Sequence, residues 1–179
     1  MGLSDGVLMQ KVKEGDLSQA ALLFHRHHKK IYHYLGKMSG DYHLAEDLTQ
    51  NVFEKLIQYR KSFDSAQNFE GWVYRIAKNT FIDHVTQYKK LPVHSGLESL
   101  ETMPAAIDGQ CEEEEDAKLY RAMAALSEDD RELLILTRFK KMKYQEVAAM
   151  QQTTENNVKV KVYRAVEKLR THFFQLESL

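Results

Sequence analysis

Leu17, Ala20, Ala21, Phe24, His28, Ile31 and Leu35 follow one another at intervals of three and four, the period of one helix face, and Asp16 is placed as an N-cap. Gly36 and Gly40 are expected to end that helix. A second run opens at Asp41 and continues through Leu44, Ala45, Leu48, Val52, Phe53 and Leu56. After the polar loop 60–68, with Ser62, Asp64 and Ser65, a third runs through Phe69, Trp72, Val73, Ile76, Ala77, Thr80, Phe81, His84 and Val85. A shorter helix over Val7–Lys13 precedes them. Together these runs predict a helical bundle over residues 1–90.

From Leu91 to Asp116 the periodicity stops, both prolines occur, and every charge is negative, so a flexible acidic linker is expected over 91–116. The alternative for Glu112–Asp116 is the opening turn of the next helix, where the dipole favours carboxylates. The second block, 117–179, starts with Leu119 and Met123 on one face. Ser127 then caps a helix with Glu128, Asp129 and Asp130 in its first turn and Leu133, Leu134 and Leu136 behind them. A short helix, Tyr144–Met150, and a long one from Thr154 to Phe174 are separated only by Gln151–Thr153, which suggests a helix-turn-helix. The fold class read from this pattern is all-α: two small helical domains joined by a flexible linker.

Composition narrows the picture. Of the 179 residues, 43% are hydrophobic and 28% charged, enough apolar material for a buried core. Two prolines and eight glycines are too few for a turn-rich all-β fold. One cysteine, Cys111, cannot form an internal disulfide, which fits a reducing cytoplasm. The opening residues contain no export signal, and no stretch is long and apolar enough for membrane insertion, so neither is expected. The net charge of −1 conceals +3 over residues 1–90, −8 over 91–117 and +4 over 118–179. Two basic blocks around an acidic connector keep a nucleic-acid role open.

The outward positions of the last helix are Asn156, Asn157, Lys159, Lys161, Arg164 and Lys168. Asn can read adenine edges, Lys and Arg can reach guanine or phosphate, and the helix N-terminus capped by Thr154 can approach a phosphate. Arg138, Lys140, Lys141 and Lys143 form a basic cluster just before the turn. The alternative is a solvated helix face beside a charged loop.

Three stretches in order, AEDLTQNVFEKL (45–56), FEGWVYRIAKNTFIDH (69–84) and the pattern from Leu126 and Arg131 through YQEVAAM to NVKVKVYRAVEKLR (157–170), resemble the extracytoplasmic-function group of bacterial sigma factors. The resemblance spans nearly the whole chain. It implies region 2 over 1–90, a variable linker, and region 4 over 117–179. It implies that core RNA polymerase docks on Asp47, Gln50 and Asn51, through polar side chains that pair with a partner's arginines. Asn51 stands where Glu is common.

The same resemblance implies promoter DNA as second partner. The minus-ten element would meet Lys61, Ser62, Phe63 and Asn68 of a base-pocket loop, with Arg75, Lys78 and Asn79 beyond it. The minus-thirty-five element would meet Arg138, Lys141, Lys143, Thr154, Asn156, Asn157, Lys159, Lys161 and Arg164. Trp72 is expected in the core, because its spacing with Phe69 and Ile76 is that of an inward stripe. Many relatives are held by an anti-sigma factor, which no residue here identifies.

Departures from the family pattern are specific. The usual arginine run at the end of the region 2 helix is VTQYKK, which leaves Lys89 and Lys90 for phosphates. Lys143 replaces the usual cap, and Gln152 the usual turn glycine. His25, His27, His28 and His33 lack the companion ligands of a metal site and are expected to be structural or solvated. No catalytic motif, cofactor or metal is expected. The competing readings are a stand-alone helix-turn-helix regulator and a helical protein-interaction adaptor.

Overall fold

A computed structural model of the chain describes residues 2–90 and 114–176. Its regular elements are all helical: α1 (Asp5–Glu14), α2 (Ser18–Ser39), α3 (Tyr42–Gln58), α4 (Phe69–Lys90), α5 (Glu114–Ala124), α6 (Glu128–Leu134), α7 (Tyr144–Met150) and α8 (Glu155–Gln175). The all-α expectation therefore holds among the described residues. The linker expected from Leu91 lies outside them as far as residue 113, and Glu114 opens α5. The side chains of Lys89 and Lys90 also lie outside the described residues. By packing, the described residues divide into two units: 2–35 with 43–90, and 36–42 with 114–176.

In the first unit α1 is a short helix with strong boundaries. The Ser4 hydroxyl accepts from the Val7 amide, and Gly15, at φ 114°, turns the chain out while Asp16 donates back to the Lys11 carbonyl. Leu8, Met9 and Val12 are fully buried. On α3 the inward stripe is Ala45, Leu48, Thr49, Val52, Phe53 and Leu56, as the spacing predicted; Thr49 satisfies its hydroxyl on the Ala45 carbonyl at 2.6 Å. α4 buries Phe69, Trp72, Val73, Tyr74, Ile76, Ala77 and Phe81, so Trp72 is a core residue as expected.

α2 departs from its expected phase. Leu17 lies before the helix and is 47% exposed, Phe24 is 43% exposed, and the buried positions include Leu23, His27, Ile31, Tyr34 and Leu35. The apolar stripe is rotated by about one residue because His27, which a polarity pattern places outside, is satisfied inside. Its Nε2 lies 2.7 Å from Asp5 Oδ2, and its ring packs edge-on against Phe69. Gly36 is not the end of the helix. It sits within the last turns, where a Cβ would come within 2.3 Å of the Tyr42 ring, and Gly40 at φ 72° makes the turn.

In the second unit α8 packs against α5, α6 and α7. Ser127 caps α6 as expected, accepting from the Asp130 amide. The end of α6 then widens into a π-helical stretch, Ile135–Phe139, in which Lys140 donates to the Ile135 carbonyl at 2.9 Å. Lys141 follows in the left-handed region at φ 56°, and Met142 donates back to Leu136.

Candidate nucleic-acid interface

The helix-turn-helix is built from local hydrogen bonds. α7 starts at Lys143, whose backbone is extended; the Glu146 carboxylate reaches back to accept from the Lys143 amide at 2.8 Å. Val147 and Ala148 are buried under it. The turn closes through Gln152, which takes the left-handed conformation at φ 53° that glycine adopts more cheaply, and through Thr153 donating to the Ala148 carbonyl at 2.9 Å. Thr154 then caps α8 by accepting from the Asn157 amide at 3.2 Å.

Val158, Val162 and Ala165 are buried, which turns the rest of α8 outward. Asn156, Asn157, Lys159, Lys161 and Arg164 are all exposed. They are not equivalent. At 100° per residue, Asn156 and Arg164 fall near the centre of the outward face, with Lys159 and Lys161 on opposite flanks. Lys159 pairs with Glu155 at 2.9 Å, and the Asn157 amide group donates to Thr153 at 2.7 Å, bracing the turn. Lys168 is tied to Asp130 on α6 at 2.6 Å. Val160 and Tyr163, the latter 69% exposed, lie at the centre of the same face and were not among the expected contacts. Their apolar character was the misleading signal: reading apolar as inward overlooks a position opposite the buried stripe. Arg138, Lys141 and Lys143 are exposed on the segment leading into α7.

Arg131 underlies this unit. It is 4% exposed, and its guanidinium donates to the carbonyls of Met123 at 3.0 Å, Ala124 at 2.7 Å and Leu126 at 3.2 Å. A fourth bond runs to the Met38 carbonyl at 2.6 Å, so the guanidinium gathers acceptors from the end of α5, the turn after it and the last turns of α2. Burial holds the Arg131 pKa below the usual guanidinium value, with Glu128 pulling the other way.

In the first unit Asp47, Gln50 and Asn51 are exposed on the face of α3 opposite its buried stripe, with Glu54 one turn on from Gln50 and Asn51. The loop between α3 and α4 begins with a turn of 3-10 helix, Arg60–Ser62, which leaves Lys61 and Ser62 exposed; the Ser62 hydroxyl donates to the Tyr59 carbonyl at 2.8 Å. Phe63 does not face outward. It is fully buried, edge-on to Trp72 at 5.2 Å and to Phe69 at 6.3 Å, so it anchors the loop rather than offering a base a stacking surface. An apolar residue inside a polar run gave no periodicity by which to see this. Asn68 is exposed, and its side-chain oxygen accepts from the Glu70 amide at 2.9 Å, capping α4. Arg75 and Lys78 are half-buried on α4, and Asn79 is exposed beside them. Lys13 of α1 donates to the Phe63 carbonyl at 2.6 Å.

The histidines divide by environment. His27 is buried on Asp5, while His28 stacks on Phe24 at 4.9 Å and donates to its carbonyl. Among the described residues no group of three or more His, Cys, Asp or Glu side chains is placed to hold a metal ion, and no helix is long and apolar enough to cross a membrane.

Residues 23–91 match the Sigma-70 region 2 family model and residues 116–169 the Sigma-70 region 4 model. The chain is 25% identical over 169 residues to the RNA polymerase sigma factor CarQ of Myxococcus xanthus, covering 94% of this chain and 97% of that one. It is 29% identical over 141 residues to the ECF RNA polymerase sigma factor SigM of Bacillus subtilis, covering 78% and 86%. Among solved structures, the sigma factor RpoE in complex with the anti-sigma factor NepR, from Bartonella quintana, shares the fold with a TM-score of 0.64 at 24% identity, over 88% of this chain and 96% of that one.

Proposed function

Because the chain belongs to the extracytoplasmic-function group of RNA polymerase sigma factors, we propose that its two blocks divide promoter recognition, residues 1–90 serving the minus-ten element and 117–179 the minus-thirty-five element. The chain directs core RNA polymerase to promoters and starts transcription there. Catalysis belongs to the polymerase, and the compartment is the cytoplasm where polymerase and promoter are found. Residues 91–113, ahead of α5, act as the tether.

The observation that carries this reading is the exposed cationic and amide face of α8, set behind a capped tight turn within the stretch matched by region 4. α8 enters the major groove with Asn156 and Arg164 toward base edges, while Lys161 on its flank and Arg138, Lys141 and Lys143 before α7 take phosphates. Asp47, Gln50 and Asn51 form the polymerase-docking edge, where exposed short polar groups on a rigid helix suit arginines of a partner. Lys61, Ser62 and Asn68 present the minus-ten surface together with Arg75, Lys78 and Asn79. Two weak DNA modules on one polymerase bind tightly together because the second contact becomes intramolecular. An anti-sigma factor that covers either face would silence the chain.

The test is runoff transcription with purified core polymerase on promoters selected from a random library. Promoter-specific transcripts that vanish on Asp47→Arg and on Arg164→Glu are expected. Duplex binding that needs no polymerase and survives Asp47→Arg would instead establish a stand-alone regulator.

A further inference from the structure

The geometry points to α1 as a brace for the loop between α3 and α4, with Lys13 the positioning residue that holds the minus-ten surface in shape. This rests on the assignment of Lys61, Ser62 and Asn68 to the minus-ten element. The region 2 match begins at residue 23, so α1 lies outside it. Yet α1 is firmly seated. Leu8, Met9 and Val12 are fully buried, and its first turn is fastened to α2, with Asp5 receiving Arg26 Nη1 at 2.6 Å and meeting His27 Nε2 at 2.7 Å.

The other end of α1 packs against the 3-10 turn Arg60–Ser62. There the Lys13 ammonium donates to the carbonyl of Phe63 at 2.6 Å, across 50 residues of sequence. Phe63 is the pivot of the loop. Its ring is locked between Trp72 and Phe69, its amide donates to Arg60, and the exposed Lys61 and Ser62 lie on one side with Asp64–Asn68 on the other. Fixing that carbonyl fixes the direction in which the chain leaves on both sides. A charge-assisted hydrogen bond from a helix that is itself firmly seated does this across 50 residues of sequence.

Lys13→Met keeps the aliphatic stem and removes the donor; Lys13→Arg keeps a donor. With holoenzyme assembled from the full chain, promoter opening is read by permanganate reactivity of minus-ten thymines, alongside core-polymerase affinity, the salt dependence of promoter binding and thermal melting of the free chain. Lys13→Met is expected to slow opening about tenfold or more, the scale of one lost charge-assisted bond. Polymerase affinity and salt slope should stay close to wild type, melting should fall by only a few degrees, and Lys13→Arg should recover most of the opening rate.

Wild-type opening in Lys13→Met would overturn the brace. So would a salt slope lower by about one, the mark of a direct phosphate contact, or a collapse in melting, the mark of a merely structural lysine. The double variant Lys61→Ala, Ser62→Ala separates the two levels. If it opens promoters normally, the loop assignment itself falls; if it is defective and Lys13→Met is not, only the brace falls.

Discussion

Arg131 shows how one buried charge can hold a helix junction. Its guanidinium meets the carbonyls of Met38, Met123, Ala124 and Leu126, so removing it uncovers several acceptors at once rather than one. Arg131→Met is expected to lower the unfolding free energy by about 3 kcal/mol, from the usual penalty for orphaned buried acceptors. Urea denaturation measures this, and a loss below about 1 kcal/mol would show that water replaces the guanidinium. Asp5 makes the corresponding case at the surface. Burial acts to raise its pKa, but hydrogen bonds from Arg26 and His27 outweigh that and leave the carboxyl below its ordinary 3.8. A depressed folded-state pKa stabilises the fold above the unfolded value and loses that contribution as pH falls through the folded one. The stability gap between wild type and Asp5→Asn should therefore be constant near neutrality and shrink below pH 3.8. Thermal melts across that range test it, and a gap that persists unchanged in acid would assign the Asp5 contribution to shape rather than charge.

At the scale of elements, most helices were legible because their signals are local. α7 runs Tyr144–Met150 as its spacing predicted, and α8 starts behind its Thr154 cap. The failures share one physical cause, a partner far away in sequence. His27 turns inward because Asp5, 22 residues earlier, meets it, and that rotates the stripe of α2. Phe63 is buried because Phe69 and Trp72 receive it from the next helix. The left-handed Gln152 was foreseen from the missing turn glycine, whereas Lys141 gave no such signal. The outward face of α8 was largely readable, except that Val160 and Tyr163 counted as apolar and so escaped notice. That face makes separable predictions. Lys161→Ala should weaken promoter binding alike across sequences and lower the salt slope by about 0.9. Asn156→Ala should leave the slope alone and cost about 1–3 kcal/mol of discrimination at one base pair. Binding titrations of holoenzyme on single-substituted promoters, at several salt concentrations, distinguish the two. Equal slopes for both variants would remove Lys161 from the phosphate contacts.

At the scale of the whole molecule, the near-neutral total charge sets the long-range attraction of the free chain to DNA. The two helical blocks carry +3 and +4, but residues 91–117 carry −8, and the total of −1 gives no long-range attraction to a polyanion. Each block alone is attracted to phosphate; joined to the acidic segment, neither gains much from distance. A sigma factor benefits from this, since binding DNA without polymerase would occupy promoters without transcribing them. Converting the five carboxylates of 91–113 to amides leaves the described helices untouched and moves the net charge from −1 to about +4. Polymerase-free binding to random duplex should then rise on the order of tenfold at low salt and fall back steeply as salt is added, because the gain is purely electrostatic. Gel shift across a salt series measures the gain. Unchanged affinity at low salt would show that the acidic segment does not screen the basic faces.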